Sequence, residues 1–304
     1  MPLHSPLLRY FDAVRRTGSI RAAARDLAIS SSAVNRRILA LEAELGVALF
    51  ERLPGRVRLT AAGEVLAGHV RATLQDAERA LSEIEALQGL QTGGVSVAGI
   101  EGLSVAFMPA VVATLRRRHP RIDVSFDVGG SARVVERVVA GDSDLGITFD
   151  VPRRRELRGI AQRAYPFGVV MRPDHPMAAA ERLAFADLAD EPLILPDPET
   201  DAGARVRAGL ARLDPPARAA VRTTSFAFAK STAERGLGLA FQTRLGLEPE
   251  LASGTLVHVP LVEGEPLQQV LTVVVRAERT LPVAAATLAE ILTDHLLSDA
   301  GPAP

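Results

Sequence analysis

Residues 18–60 constrain the fold more than any other stretch of this 304-residue chain. Ser19 can accept a hydrogen bond from an orphan backbone N–H and so begin a helix. Apolar residues then recur on one face of that helix, at Ile20, Ala23, Ala24 and Leu27. Residues 28–29 form a turn, and Ser30 begins a second helix that reaches about Leu45. This order predicts a helix-turn-helix, whose second helix can enter the major groove of DNA.

The second helix is expected to have a buried stripe and an exposed polar face. The stripe consists of Val34, Ile38, Leu41 and Leu45. The exposed face carries residue types that read bases, since Asn pairs with adenine and Arg with guanine. A hairpin with its tip at 53–55 follows, and its arginines can reach the DNA backbone or the minor groove. The predicted DNA contacts are Ser31, Ser32, Ala33, Asn35, Arg36, Arg37, Arg52, Arg56 and Arg58.

These residues and their neighbours resemble the DNA-binding domain of the LysR-type transcriptional regulators. The matching pattern runs through Phe11, Val14, Gly18-Ser19-Ile20, Ala22-Ala23, Leu27, Ser30, Ala33-Val34, Arg36, Ile38, Leu41-Glu42, Leu45-Gly46, Leu49-Phe50, Arg52, Leu59-Thr60 and Ala62-Gly63. The resemblance implies a winged helix-turn-helix over residues 1–62. The family usually carries Ser where this chain has Asn35, and often Pro where it has Ser32. These departures bear on base preference rather than on the fold.

Charge is divided unevenly along the chain. Residues 1–62 hold ten arginines and five acidic residues, a net charge of +5, while the remainder holds 25 basic and 31 acidic residues, a net charge of −6. A basic head on an acidic body is typical of a phosphate-binding module joined to another domain. The chain has no membrane-length apolar run and no signal-peptide pattern at its start. We therefore expect a cytoplasmic protein without a membrane partner.

The sequence offers no set of catalytic residues. The absence of cysteine excludes disulfides and thiolate chemistry, and no two of the six histidines lie three or four residues apart as in a helical metal motif. Phosphate-binding, dinucleotide-binding and nucleophile-elbow motifs do not occur. Asp142 and Asp144 could be paired catalytic carboxylates, but their place before a strand favours structural roles in a turn and a cap. We therefore predict no enzyme activity, no metal site and no cofactor.

Residues 63–90 are predicted to form one long helix with a narrow apolar seam. The seam consists of Val70, Leu74, Ala77, Leu81, Ile84 and Gln88, and the first five are the predicted dimerisation residues. The alternative is an amphipathic helix that lies on its own domain. The resemblance implies that this helix pairs two protomers, in a homodimer or in the homotetramer that the family usually forms.

From residue 94 onward, strands alternate with helices. Strands are predicted at 95–98, 122–128 and 145–149, with helices at 105–118 and 131–140 between them. This βαβαβ order predicts a parallel sheet. Further strands are expected at 168–172, 193–195, 239–241, 257–261 and 270–276, and further helices at 202–213, 230–234 and 282–297.

This part of the chain resembles the family's effector-binding domain. The resemblance rests on Pro109 and Leu115 before His119-Pro120, on the run from Gly141 to Ile147, and on the 172–176, 236–239 and 251–261 segments. It implies a two-lobed fold over residues 94–304, Rossmann-like and similar to periplasmic binding proteins. Lobe I would comprise 94–164 and 269–304, and lobe II 165–268. The expected fold class is thus α/β with an N-terminal all-α winged helix-turn-helix and a long dimerisation helix.

A small molecule is expected between the two lobes, because open α/β sheets bind ligands beyond the carboxyl ends of their strands. Glu101 is notable, since a carboxylate there would repel an anionic ligand by roughly 4 kcal/mol at 4 Å with an effective ε of about 20. We expect its side chain to point to solvent; the alternatives are that the ligand is neutral or cationic, or that nothing binds there. The predicted effector-binding residues are Glu101, Gly102, Leu103, Ser104, Gly130, Ser131, Phe149, Pro196, Thr200, Ser225, Phe226 and Gln242.

The sequence therefore predicts a DNA-binding transcriptional regulator controlled by a small-molecule effector. Its expected partners are a double-stranded DNA operator, a second copy of itself, the effector and RNA polymerase. A constitutive DNA-binding regulator whose C-terminal domain serves only assembly is an alternative. A solute-binding protein without DNA function is a more distant one, and the basic head argues against it.

Overall fold

The computed structural model describes residues 4–87, 92–198, 200–213, 219–277 and 280–298. The chain divides into two compact units, residues 1–90 and 91–304. Gln88, predicted to end the apolar seam, lies outside the described residues. No helix of the described parts is both long and apolar enough to cross a bilayer.

The N-terminal unit packs three helices, a hairpin and the start of a long helix around one core. Its elements are α1 (Pro6–Thr17), α2 (Ile20–Asp26), α3 (Ser31–Leu45), β1 (Phe50–Leu53), β2 (Arg56–Leu59) and α4 (Ala61–Leu87). Phe11 and Ile38 are fully buried at the centre of this core, and the ring of Phe11 lies 5.1 Å from that of Phe50. The winged helix-turn-helix predicted from the sequence is therefore present.

Hydroxyl side chains begin α2 and α3, as the sequence indicates. Ser19 Oγ accepts a hydrogen bond from Ala22 N, and Ser30 Oγ accepts one from Ala33 N. The prediction for Leu45 is wrong, because its side chain is 49% exposed. Its turn of α3 lies at the C-terminal end of the helix, beyond the residues that pack against α1 and α2.

The apolar face of the long helix α4 is buried in its first half and exposed in its second half. Val70 is fully buried in the core of the N-terminal unit, and Leu74 packs against that core. Val70 is therefore a core residue of one chain, which corrects its assignment to a surface seam. Leu81 and Ile84 are 38% and 51% exposed. Heptad spacing identifies the apolar face of the helix but does not show which part of that face its own domain covers.

Lobe I of the C-terminal unit is built on three parallel strands in the order β4-β3-β5. Strands and helices alternate along the chain in this βαβαβ unit, as predicted. The elements are β3 (Gly93–Gly99), α5 (Phe107–Arg118), β4 (Ile122–Val128), α6 (Ser131–Ala140) and β5 (Leu145–Phe149). A 3-10 turn at Glu101–Ser104 precedes α5, so this helix begins two residues later than expected.

A single strand crosses from one lobe to the other. β6 (Leu157–Met171) pairs with β13 (Gln268–Arg276) over Leu157–Pro166 and then with lobe II strands over 167–171. The sequence predicted only 168–172 as strand, because polar residues and Gly159 obscure the earlier alternation. β13 also pairs antiparallel with β5, and α10 (Val283–Ser298) packs on lobe I.

Through β6 the sheet continues into lobe II, where the next strands are β10 (Leu239–Thr243), β8 (Leu193–Pro196) and β9 (Ala219–Thr223) in that order. The strand β9 (Ala219–Thr223) is absent from the sequence prediction. Helix α7 ends at Leu210 rather than 213, and α8 begins at Phe226 rather than 230, because Ser225 caps it and the alternating FAFA run hides its periodicity. The elements are β7 (Leu183–Ala184), β8 (Leu193–Pro196), α7 (Asp201–Leu210), β9, α8 (Phe226–Glu234), β10 (Leu239–Thr243), α9 (Glu248–Ser253), β11 (Val257–Glu263) and β12 (Glu265–Pro266).

Candidate functional site

The leading face of α3 presents polar side chains to solvent. Ser31, Ser32, Arg36 and Arg37 are exposed, while Val34 and Ile38 on the opposite face are buried. Ala33 and Asn35 are half-buried. Asn35 Oδ1 is buried and has no hydrogen-bond partner among the described residues. A two-bond contact of Asn35 with adenine would therefore require its amide to rotate.

The hairpin beside α3 is fixed in position by hydrogen bonds. Glu42 Oε1 accepts from the N–H groups of Leu49 and Phe50 at 2.8 and 3.1 Å, which ties α3 to the start of β1. The N–H of Val57 in β2 donates to the carbonyl of Gly18 at 2.8 Å. The three arginines of the hairpin, Arg52, Arg56 and Arg58, are all exposed. Sequence reasoning noted Glu42 only as part of a pattern and missed its anchoring role.

A cavity of about 450 Å³ lies between lobes I and II. Lobe I contributes residues 100–102 and 128–133 together with Phe149 and Gln269, and lobe II contributes residues on α7, α8 and β10. Eight of the twelve predicted effector-binding residues line this cavity: Glu101, Gly102, Gly130, Ser131, Phe149, Thr200, Phe226 and Gln242.

The other four predicted residues lie elsewhere. Leu103 is fully buried in the core of lobe I, and Ser104 is exposed away from the cavity at the end of the 3-10 turn. Pro196 and Ser225 line a neighbouring cavity of only about 10 Å³. Strand-to-helix turns were correctly located from the sequence, but the direction of each side chain within a turn was not.

The N-terminus of α6 opens into the cavity without a cap. Gly130 occupies the N-cap position and supplies no side chain, and the N–H groups of Ser131, Ala132 and Arg133 make no hydrogen bond to another described residue. Such free N–H groups carry the positive end of the helix dipole. Arg133, which sequence reasoning missed, is exposed beside them. A basic residue three positions after two glycines is the signal that could have identified it.

The N-terminus of α8 faces the same cavity but is occupied. Glu101 accepts hydrogen bonds from the N–H groups of Phe226 and Ala227 at 3.0 and 3.1 Å. It also accepts one from Ser225 Oγ at 3.1 Å, and Ser225 Oγ in turn accepts from Phe228 N. The expectation that Glu101 points to solvent is therefore wrong, because a cluster of donors on the opposite lobe binds its carboxylate.

Two further contacts join the lobes beside the cavity. Arg205 on α7 donates to Asp150 at 3.2 Å, and Asp150 Oδ1 also accepts from Val270 N at 3.1 Å. At the other contact, Gly102 and Gly246 approach so closely that a Cβ on Gly246 would lie 2.9 Å from the Gly102 Cα. Neither pairing could be predicted from the sequence, since each joins residues more than fifty positions apart.

Gln242 forms part of the cavity wall and has unused hydrogen-bonding capacity. Its side chain is 5% exposed, and Oε1 has no partner in the described structure. Its backbone carbonyl accepts a hydrogen bond from His258 Nε2 at 3.1 Å, and burial lowers the pKa of His258 to about 4.

The described residues contain no group of three metal-ligating side chains.

Comparison with known proteins decides the family. The model for the bacterial regulatory helix-turn-helix protein of the lysR family matches residues 6–64, and the model for the LysR substrate binding domain matches residues 88–297. The chain belongs to the LysR family of transcriptional regulators. It is a DNA-binding regulator with an effector-binding domain, so the predicted family, fold class and function are confirmed. LysR regulators bind DNA and oligomerise.

Individual relatives agree with this assignment. The HTH-type transcriptional regulator CbbR of Xanthobacter flavus is 33% identical over 291 residues, which cover 92% of this chain and 85% of that protein. A full-length OxyR from Pseudomonas aeruginosa has the same fold, with a TM-score of 0.73 at 22% identity over 96% of this chain and 95% of that one. The Synechocystis CcmR regulatory domain in complex with 2-PG covers 68% of this chain and 99% of its own, with a TM-score of 0.60 at 22% identity.

Proposed function

We propose that the cavity between the lobes binds a small organic anion, and that this effector controls DNA binding by the helix-turn-helix. The observation that carries the proposal is the uncapped N-terminus of α6, which opens into the cavity beside Ser131 and Arg133. Free backbone N–H groups at a helix N-terminus bind anions directly, and the helix dipole adds to the attraction. Arg133 supplies a full positive charge next to them, since no described residue forms an ion pair with it.

The carboxylate of Glu101 does not oppose such a ligand in the way its position suggests. Its oxygens are bonded to the N-terminus of α8, where partial positive charge offsets its own. The 2-PG complex of CcmR supports the proposal from a protein of the same fold. Gln242 Oε1 would accept a hydrogen bond from a ligand hydroxyl or amine, which would fill its unused acceptor capacity.

Titration of the full chain with 2-PG tests this site, with inorganic phosphate as a second probe. Replacing Ser131 by Val should retain the fold and weaken 2-PG binding by about 1–3 kcal/mol, because one buried ligand group loses its partner. Arg207→Ala, which removes an exposed arginine of α7 outside the cavity, is the matched control and should bind as wild type. Equal affinity of the wild type and the Ser131 variant for both probes would contradict the site.

For DNA, we propose that α3 reads base edges and that the hairpin arginines contact phosphates. Arg36→Ala should cost about 1–3 kcal/mol on the specific operator and relax base preference. Arg56→Ala should weaken all sequences alike and lower the salt slope by roughly one. Arg121→Ala removes an exposed charge from the other unit and serves as the control. Unchanged operator affinity of the Arg36 variant would exclude this residue from the reading surface.

We further propose that α4 pairs two protomers through its exposed apolar residues. Leu81 and Ile84 are the main candidates, with Leu74 and Ala77 at the margin of the seam. Replacing Leu81 and Ile84 by Asp would bury unpaired charges in the pair, at a cost of several kcal/mol. Light scattering should then report loss of the homodimer or homotetramer. An unchanged mass would show that assembly does not use this face.

A further inference from the structure

We infer that Glu101 is an internal anion that takes the place of a ligand at the N-terminus of α8, and that it links lobe II to lobe I. The N-termini of α6 and α8, which carry partial positive charge, both face the cavity. The chain itself supplies an anion, Glu101, for the N-terminus of α8. Glu101 therefore restricts which ligands the cavity accepts. The link between the lobes is independent of the effector's identity, whereas the effect of Glu101 on ligand choice rests on the proposed function.

The hydrogen bonds at α8 account for every free N–H of its first turn. Glu101 takes those of Phe226 and Ala227, Ser225 Oγ takes that of Phe228, and the next N–H, of Ala229, bonds to the Ser225 carbonyl. No donor at this terminus is left for a second anion. Hydrogen bonds to a charged acceptor are shorter and stronger than neutral ones, so the carboxylate is a better partner here than water.

The position of Glu101 makes these bonds a link between the lobes. Glu101 belongs to the 3-10 turn after β3 in lobe I, and its partners lie 124–126 positions later in lobe II. The backbone around Glu101 packs closely as well, because a Cβ on Gly102 would lie 3.1 Å from the Leu245 carbonyl oxygen and a Cβ on Gly246 would lie 2.9 Å from the Gly102 backbone. Lys230, on α8, donates to the Gly246 carbonyl at 3.2 Å and so ties the helix to the same loop.

An anionic group of the effector would have to displace Glu101 to reach α8, whereas the α6 terminus is open. The cavity should therefore bind the charged end of a ligand at α6 and exclude a second charged end from α8. Gln242, with its unused acceptor, provides a site for a neutral donor instead.

Chemical rescue tests the inference in the full chain. The probe is sodium acetate, with sodium chloride at equal ionic strength as the reference. In Glu101→Ala, the N–H groups of Phe226 and Ala227 should exchange with solvent at least about tenfold faster than in wild type, because they lose a charged acceptor. Acetate should slow this exchange again and raise the unfolding midpoint. In wild type, acetate should leave the exchange of the Phe226 and Ala227 N–H groups unchanged, since the protein's own carboxylate occupies the N-terminus of α8. Acetate bound at the open α6 terminus should raise the unfolding midpoint of wild type and variant alike, so only the exchange at Phe226 and Ala227 reports on α8.

Two variants control the experiment. Arg205→Ala removes the ion pair with Asp150 and should also loosen the lobes, but acetate cannot restore a missing cation. Glu101→Gln retains an acceptor oxygen without the charge and should give intermediate exchange, which decides the matter if the Ala variant does not fold. Equal exchange at Phe226 and Ala227 in wild type and in both Glu101 variants would overturn the inference. An equal effect of acetate on the exchange of Phe226 and Ala227 in wild type and in Glu101→Ala would also overturn it.

Discussion

Helices α6 and α8 present their N-termini to the same cavity, yet the first is open and the second is occupied. At α6, Gly130 leaves the N-cap position without a side chain, and the following N–H groups have no partner in the described structure. At α8, Ser225 and Glu101 together satisfy the whole first turn. In the proposed effector site, the protein itself therefore fills one of the two helix N-termini, and we expect a ligand to place its charge at the other.

The glycine at α6 is not required by crowding or by the backbone. Gly130 has φ −70°, which any residue can adopt, and a Cβ added there would meet open space. Gly129 differs, since a Cβ on it would approach the Arg133 side chain to 3.1 Å. Position 130 can therefore be changed to test the comparison without disturbing the fold.

The largest effect is expected from Gly130→Asp, which would give α6 an internal carboxylate like that of α8. The new N-cap should stabilise the helix by only a few tenths of a kcal/mol, because glycine is itself tolerated at this position. It should weaken binding of 2-PG by about 4 kcal/mol, roughly a thousandfold, because two like charges would lie near 4 Å at an effective ε of about 20. Calorimetric titration measures the loss. Gly130→Asn caps the helix without charge, and an equal loss in that variant would show that charge is not the cause.

Acidification should have a smaller effect, a loss of folding stability through His258. This side chain donates to the backbone carbonyl of Gln242, a residue of the cavity wall, and does not contact α6 or α8 N–H groups. The folded pKa of His258 is about 4, below its unfolded value near 6.5, so the unfolded chain binds the proton more readily between these values. The free energy of unfolding should therefore fall by up to about 3 kcal/mol as the pH drops from 6.5 to 4. Urea unfolding at several pH values measures this slope. His258→Gln should flatten it, and an unchanged slope would assign it to other groups.

The smallest effect is expected from Ser225→Ala at α8. This change removes the partner of Phe228 N and one donor to Glu101, but it leaves the bonds from Phe226 and Ala227. The free energy of unfolding should fall by about 1 kcal/mol, as for other N-cap losses. The midpoint of urea unfolding reports it. A loss as large as that of Glu101→Ala would mean that the serine, rather than the carboxylate, is the main partner of α8.

The sequence predicts local features of this molecule well because local rules create them. The serine caps of α2 and α3 and the three parallel strands of lobe I follow from spacing and side-chain chemistry within short windows. The same reasoning located the strand-to-helix turns that line the cavity. It could not distinguish Gly102, which lines the cavity, from the buried Leu103 beside it, since a 3-10 turn rotates successive side chains to different surroundings.

The errors arise where distant segments meet. Glu101 was expected in solvent, because nothing near it in the sequence indicates that α8 lies within hydrogen-bond distance. Val70 and Leu81 occupy the same apolar face of α4, yet only Val70 is covered by its own domain. Periodicity identifies an apolar face, whereas the fold of the whole unit decides what packs on it.

Anomalous diffraction from crystals of the full chain soaked in selenate would show which helix N-terminus binds an anion, because selenium marks the position of the bound ion. We expect a selenium peak at the N-terminus of α6 in wild type, and peaks at both α6 and α8 in Glu101→Ala. A wild-type peak at α8 with Glu101 displaced, or none at α6, would contradict this expectation.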